Sequence, residues 1–202
     1  MNMFASLSIG IVFVSVVGGV LAQSANSGED ATQSAKAPEQ STKDAVKPAR
    51  DHAWLEQLVG EWGLTLKMYG QPDQPPAESM GADTVRAVGE HWVIAETMTT
   101  MMGAPYSGVM SLGYDQTKQR FHGAWIDSFG SGLWIYTGTL NEAGDTLTLE
   151  TEGPSPQQAG KTIKYRQVIQ ITGKDNRTMN LSVETEGGQW MRIVTNEYSR
   201  KQ

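Results

Sequence analysis

Beyond Gly60, hydrophobic and polar positions alternate with a period of two in about ten runs. These cover residues 62–68, 83–88, 92–100, 106–114, 120–128, 132–140, 146–152, 162–172, 178–186 and 189–198. Alternation of this kind, enriched in β-branched and aromatic side chains, predicts half-buried strands. The segments between them are hairpin sequences: Gly89-Glu90, Asp115-Gln116-Thr117-Lys118, Gly130-Ser131, Glu142-Ala143-Gly144-Asp145, Lys174-Asp175-Asn176 and Gly187-Gly188. The exceptions are two longer loops, 71–76 and 153–160. Ahead of the strands, Asp51 is a candidate N-cap for one short helix carrying Trp54, Leu55, Leu58 and Val59 on a single face, stopped by Gly60. The expected fold is all-β: an antiparallel up-and-down barrel of about ten strands behind a short N-terminal helix, closed so that no strand edge is left open.

The N-terminus has a different pattern. Residues 4–21 are apolar or small and uncharged, and Val20-Leu21-Ala22 places small residues at a cleavage site, so 1–22 reads as a secretory signal peptide. An uncleaved anchor is the alternative. Residues 23–50 hold almost nothing to bury and predict a disordered linker before the barrel domain, 51–202. The expected location is therefore export, to periplasm, surface or medium, with no membrane association after cleavage. The absence of cysteine excludes disulfides, a thiol nucleophile and a lipid-modified anchor. In the linker, Glu29, Asp30, Glu39 and Asp44 cancel Lys36, Lys43, Lys47 and Arg50, which leaves the net charge of −6 on the domain and argues against nucleic acid as a partner.

Four motifs carry a resemblance. His52-x-x-Leu55-x-x-Leu58-x-Gly60-x-Trp62, Gly113-Tyr114-Asp115, Phe121-x-Gly123-x-Trp125-x-Asp127-Ser128 and Tyr198-Ser199-Arg200 together resemble a bacterial family, domain-of-unknown-function family 1579, across 51–202. The resemblance implies a lipocalin-like (calycin) barrel with Gly60 and Trp62 on the first strand. It also implies a basic residue near the end of the last strand, Arg200 or alternatively Arg192, over the Trp62 ring to close the floor. It brings no activity with it.

Catalytic signatures are sparse. Gly108-Val109-Met110-Ser111-Leu112-Gly113 has the wrong spacing for a nucleophile elbow, and Gly130-Ser131-Gly132 reads as a turn. Three histidines limit metal and haem chemistry. His52 is expected to bond a backbone group at the helix end, and His91 is expected in a solvated turn. His122 and Asp127, an odd number of positions apart, point to opposite strand faces, against a triad with Ser128. Met98, Met101, Met102 and Met110 suggest either a soft copper(I) site or gap-filling packing, and packing is the expected role. No catalytic residue, metal or cofactor is assigned.

A possible cavity lining remains. One face of 92–100 groups Trp92, Ile94, Glu96 and Met98; 120–128 groups Phe121, Gly123, Trp125 and Asp127; 132–140 groups Trp134, Tyr136 and Gly138; and 189–198 groups Trp190, Arg192, Val194, Asn196 and Tyr198. Aromatic walls with isolated charges suit a small apolar or amphipathic ligand. The candidate ligand-binding residues are Trp92, Glu96, Trp125, Asp127, Trp134, Tyr136 and Arg192. Alternation alone leaves open which face is inward. Two other readings stand beside this one. The first is an isomerase or hydrolase using Asp127 or Glu96 as base with His122 or Tyr136 as acid. The second is a non-catalytic interaction module of the cell envelope. Oligomeric state is left open.

Overall fold

Strands that alternate apolar and polar side chains bury one face only, and a meander of them can do so by curling until its first and last members pair. A computed structural model of the chain, describing residues 50–70, 74–155, 158 and 160–202, has that form. The segments read as a signal peptide, 1–22, and as a linker, 23–50, lie outside the described residues except for Arg50. One helix, α1 (Arg50–Glu56), precedes ten strands: β1 (Gly60–Met68), β2 (Ala77–Val88), β3 (Trp92–Met101), β4 (Ala104–Asp115), β5 (Arg120–Asp127), β6 (Trp134–Leu140), β7 (Thr146–Pro154), β8 (Thr162–Gly173), β9 (Asn176–Glu184) and β10 (Trp190–Arg200). Each pairs antiparallel with its sequence neighbour, and β10 returns to β1, so the barrel is closed. Trp62 faces Arg200 and Leu66 faces Asn196 across that seam.

Beyond shifts of one or two residues at most strand ends, three departures from expectation bear on the fold. The helix begins at Arg50, so Asp51 lies in its first turn rather than capping it. Arg50 donates to the carbonyls of Asn141 and Glu142 at 2.5 and 2.7 Å, tying the helix to the β6–β7 turn. β2 starts at Ala77, earlier than its side chains announce, because 77–82 pair with β1 while contributing little to the core. The β3–β4 connection is a two-residue turn, Met102-Gly103, with φ of 51° and 79°, a positive-φ hairpin in which Met102 occupies a position that disfavours ordinary side chains.

The lower end of the barrel is solid. Trp54 and Leu55 of α1 and Leu58 after it are buried against Leu64, Phe121, Leu147 and Leu149. The Trp54 and Phe121 rings meet edge to face, centroids 5.7 Å apart. Trp62 donates its indole N–H to the Leu58 carbonyl at 2.9 Å. The Arg200 guanidinium lies 4.1 Å from the Trp62 ring and donates to the carbonyls of Val59 (2.7 Å) and Gln57 (3.0 Å). That is the floor closure which the resemblance implies for Arg200. Gly60, at φ +135°, has the Arg200 guanidinium where a Cβ would stand, so no side chain fits there.

Candidate ligand cavity

Above this floor the barrel is hollow. A cavity of about 140 Å³ runs from Leu58 upward to Met101, Tyr106 and Trp125. Its wall is mostly apolar: Leu66, Val85, Val93, Ala95, Met110, Leu112, Ile169, Met179, Leu181 and Val194 all face it. Inward positions on each strand keep the parity of the core: Val93, Ala95 and Thr97 on β3, and Tyr106, Met110 and Leu112 on β4.

A buried polar cluster interrupts the apolar wall. Arg177 and Asp83, 5% and 3% exposed at their side chains, form an ion pair from β9 to β2. Thr97 donates to the other Asp83 oxygen at 2.7 Å. The Arg177 guanidinium lies 4.0 Å from the Tyr198 ring and 4.6 Å from that of Trp62. Asn196 donates its amide N–H to the Tyr198 hydroxyl at 3.0 Å. Burial first, and then the nearby Asp83 charge, pushes the Tyr198 phenol up to about 12. Arg177 Nε and Asn196 Oδ1 are buried without a hydrogen-bond partner among the described residues. Two further polar side chains stand higher on the wall, Gln167 and Tyr136. The Gln167 amide N–H reaches only the weakly accepting sulfur of Met110 at 3.9 Å. Its oxygen and the Tyr136 hydroxyl have no partner among the described residues. Burial also raises the Tyr136 phenol well above its ordinary range, so the group is a neutral hydroxyl.

The predicted site residues divide. Trp125 and Tyr136 line the cavity. Asp127 sits beside it at the rim, where Oδ2 accepts from Trp125 Nε1 at 3.1 Å and Oδ1 accepts the backbone N–H groups of Phe129 and Gly130 at 2.8 and 3.1 Å. Its carboxylate holds the indole and turns the chain into the β5–β6 loop. Gly108 on β4 leaves the space the Trp125 ring fills. Trp134 points inward but packs edge to face on Tyr165, centroids 5.0 Å apart, above the cavity wall.

Trp92, Glu96 and Arg192 are placed elsewhere. On β3 the sequence offers two faces with apolar members, and the one turned inward is the smaller, Val93-Ala95-Thr97. Trp92 lies outside, its ring stacked on His122 at 4.7 Å, and Glu96 is exposed. Arg192 has the parity of the inward residues Val194, Asn196 and Tyr198, yet a bulge between Arg192 and Val194 shifts the register and turns it out. The same bulge puts Trp190 outside, under the Arg166 guanidinium at 3.9 Å.

Other candidates also separate. His52 Nε2 is 3.4 Å from the carbonyl of Tyr114 on β4 rather than at a helix-end group, with the exposed His91 ring 4.8 Å away. Of the four methionines, Met98 is exposed on the outer face and Met102 in its turn, while Met101 and Met110 line the cavity, so they do not converge. No group of metal-holding side chains occurs among the described residues.

The residues that sequence reasoning missed are Asp83, Thr97, Gln167 and Arg177; Asn196 and Tyr198 were on the expected lining face, but their joining to Asp83, Thr97 and Arg177 in one polar cluster was not foreseen. Parity held the signal: Asp83 shares a face with Val85, and Arg177 with Met179, Leu181 and Val183. Asp83 opens the expected strand 83–88 and Arg177 lies one residue before the expected strand 178–186, places where a charge is ordinarily solvated.

The family model described as "Protein of unknown function (DUF1579)" matches residues 47–200. The chain belongs to this family. Among solved structures, the DUF1579 chain resembles that of Rv2717c from M. tuberculosis at 20% identity and a TM-score of 0.54, covering 76% of this chain and 99% of that one. It also matches a redesigned beta barrel bound to DFHBI and a second protein bound to DFHBI. One, mFAP1, is 16% identical with TM-score 0.39 and coverage of 75% and 100%. The other, EF1p2_mFAP2b, is 12% identical with TM-score 0.42 and coverage of 75% and 99%. The first likeness supports the DUF1579 fold alone. No curated protein matches.

Proposed function

We propose that the protein is exported and binds one small, largely apolar molecule inside its barrel. The carrying observation is the cavity of about 140 Å³, apolar over most of its wall and equipped with buried polar groups that have no partner. An apolar void of roughly 150 Å³ is enough to hold a molecule the size of benzene. Trp125 and Tyr136 supply aromatic wall and Asp127 fixes the Trp125 ring. Export rests on the uncharged 4–21 segment and the small residues before Gln23.

The catalytic alternative loses Glu96 and His122 to the outer face; of its pairs only Asp127 with Tyr136 stays together, and both Asp127 oxygens accept hydrogen bonds from its own loop and Trp125. The interaction-module reading keeps one observation, the exposed Val109, Ile126 and Ile135 on β4, β5 and β6, with Val109 directly opposite Ile126. Concentration-dependent sedimentation tests that reading.

Native mass spectrometry of freshly purified protein, followed by titration with toluene, tests the binding function. Toluene should bind and raise the melting temperature, and Ala95→Leu, which grows into the cavity, should abolish the effect while the fold is kept. Absence of both a bound mass and any toluene-induced shift would sink the proposal.

A further inference from the structure

The charge on the cavity wall restricts what can enter. Of the residues lining it, Asp83 and Arg177 alone carry formal charge at neutral pH, and they are bonded to each other. Their sum is zero. An anionic ligand would surrender its hydration to a wall whose one cation is already neutralised, and a cationic ligand would meet a carboxylate in the same condition. Burying an unpaired ion under those terms is strongly unfavourable. The charged headgroup of a fatty acid or an amine is therefore excluded on electrostatic grounds.

A pure hydrocarbon fits the volume but leaves the polar wall unanswered. Arg177 offers an Nε–H donor and Asn196 Oδ1 an acceptor, both buried without a partner among the described residues; the Tyr136 hydroxyl and Gln167 Oε1, on the same wall, add a donor and an acceptor that no hydrogen bond among the described residues engages. Buried polar groups without partners are costly, and a ligand that pairs them recovers part of that cost. Donors and acceptors are present together, so the matching group must itself both donate and accept. A hydroxyl does so in the least space, which matters in a cavity with room for about one six-membered ring. The side-chain amide of Asn196 can present either end to such a group, since a hydroxyl answers both.

We infer that the ligand class is a small neutral alcohol or phenol, its ring or short alkyl body on the apolar wall and its hydroxyl hydrogen-bonded to the unpartnered side chains of the wall, Tyr136 and Gln167 foremost. This rests on the binding function proposed above and narrows it. The orphaned groups select the head, the zero net charge of the wall rejects ions, and the volume limits the body.

Phenol, toluene and benzoate test it, titrated calorimetrically into the purified protein at pH 7. Phenol and toluene have almost the same size and shape, but phenol is much better hydrated, so a wall offering no hydrogen bonds would favour toluene. Phenol binding at least as tightly as toluene, with benzoate at least ten-fold weaker than phenol, is the expected result. The double variant Tyr136→Phe with Gln167→Leu should then lose roughly three- to ten-fold in phenol affinity, the size of one or two net hydrogen bonds, with toluene affinity retained. Toluene binding more tightly than phenol, or benzoate matching phenol, overturns the inference and leaves the binding function standing. If neither toluene nor phenol binds, the binding function falls with it.

Discussion

The two ends of this barrel solve the same problem, filling a closed sheet, in opposite ways. The lower end is filled by its own side chains. Trp54, Trp62, Phe121, Leu147 and Leu149 are at most 1% exposed, and the Trp62 indole N–H and the Arg200 fork end on backbone carbonyls. The upper half leaves space and places buried polar groups around it, two of them without partners. One end is spent on stability. The other keeps two of the three buried polar atoms that lack partners among the described residues, the third being Trp54 Nε1 in the floor; the cavity pair faces open space, and such local violations are where function is expected.

Removing the floor should give the largest effect. Trp62→Ala deletes a buried indole, its hydrogen bond to Leu58 and two guanidinium contacts, and should cost about 3–5 kcal/mol by urea denaturation. Toluene affinity of the protein that remains folded should hardly change. A variant that loses affinity while keeping its stability would reverse the assignment of roles to the two ends.

The buried pair comes next. Arg177→Met leaves the Asp83 carboxylate uncompensated and should cost about 3–5 kcal/mol, no more than the floor variant. Adding Asp83→Asn should recover more than half, because the penalty is a stranded charge rather than a lost attraction. Failure of the second change to rescue would mean that Arg177 acts chiefly through its contacts with Trp62 and Tyr198. Arg200→Lys should cost less, about 1–2 kcal/mol, since an ammonium cannot serve the Val59 and Gln57 carbonyls in the guanidinium geometry.

High pH probes the polar system without mutation. The Tyr198 phenol is raised by burial to about 12, from 10.0. Unfolded chain therefore releases this proton first, and stability should be unaffected below pH 10 and fall between pH 10 and 12. One tyrosine contributes a slope of about 1.4 kcal/mol per pH unit. Burial raises Tyr106 and Tyr136 as well, so Tyr198→Phe should flatten the decline of the urea midpoint without removing it.

How much of this was legible in the sequence follows from what alternation encodes. It gave strand number and order, and the resemblance gave Trp62 and Arg200 as a pair, because closure depends on local period and on the chain ends meeting. It did not give the inward face of β3, where Trp92, Ile94 and Met98 look more core-like than Val93, Ala95 and Thr97. A hollow barrel needs small inward residues at some positions, so the bulkier face lies outside. Arg192 was misplaced for a different reason. A bulge beside Val194 changes parity without any mark in the side chains, since the extra residue is recorded only in the pairing of β10 with β9. Asp83 and Arg177 were hidden by lying at the start of one expected strand and just before another, and by lying 94 residues apart.

The smallest effect separates inside from outside most cleanly. Glu96 and Arg192 lie on exposed surface and make no hydrogen bond or ion pair among the described residues. Glu96→Gln and Arg192→Ala should each change stability by less than about 0.5 kcal/mol. Neither should alter phenol or toluene affinity, whereas Tyr136→Phe, a deletion of one inward oxygen atom, should weaken phenol alone. A ligand affinity that follows Glu96 or Arg192 would put the binding surface on the outer face of the sheet, where Trp92 stacks on His122. It would make the cavity an incidental void, with its unpartnered polar groups a cost that the packed floor offsets.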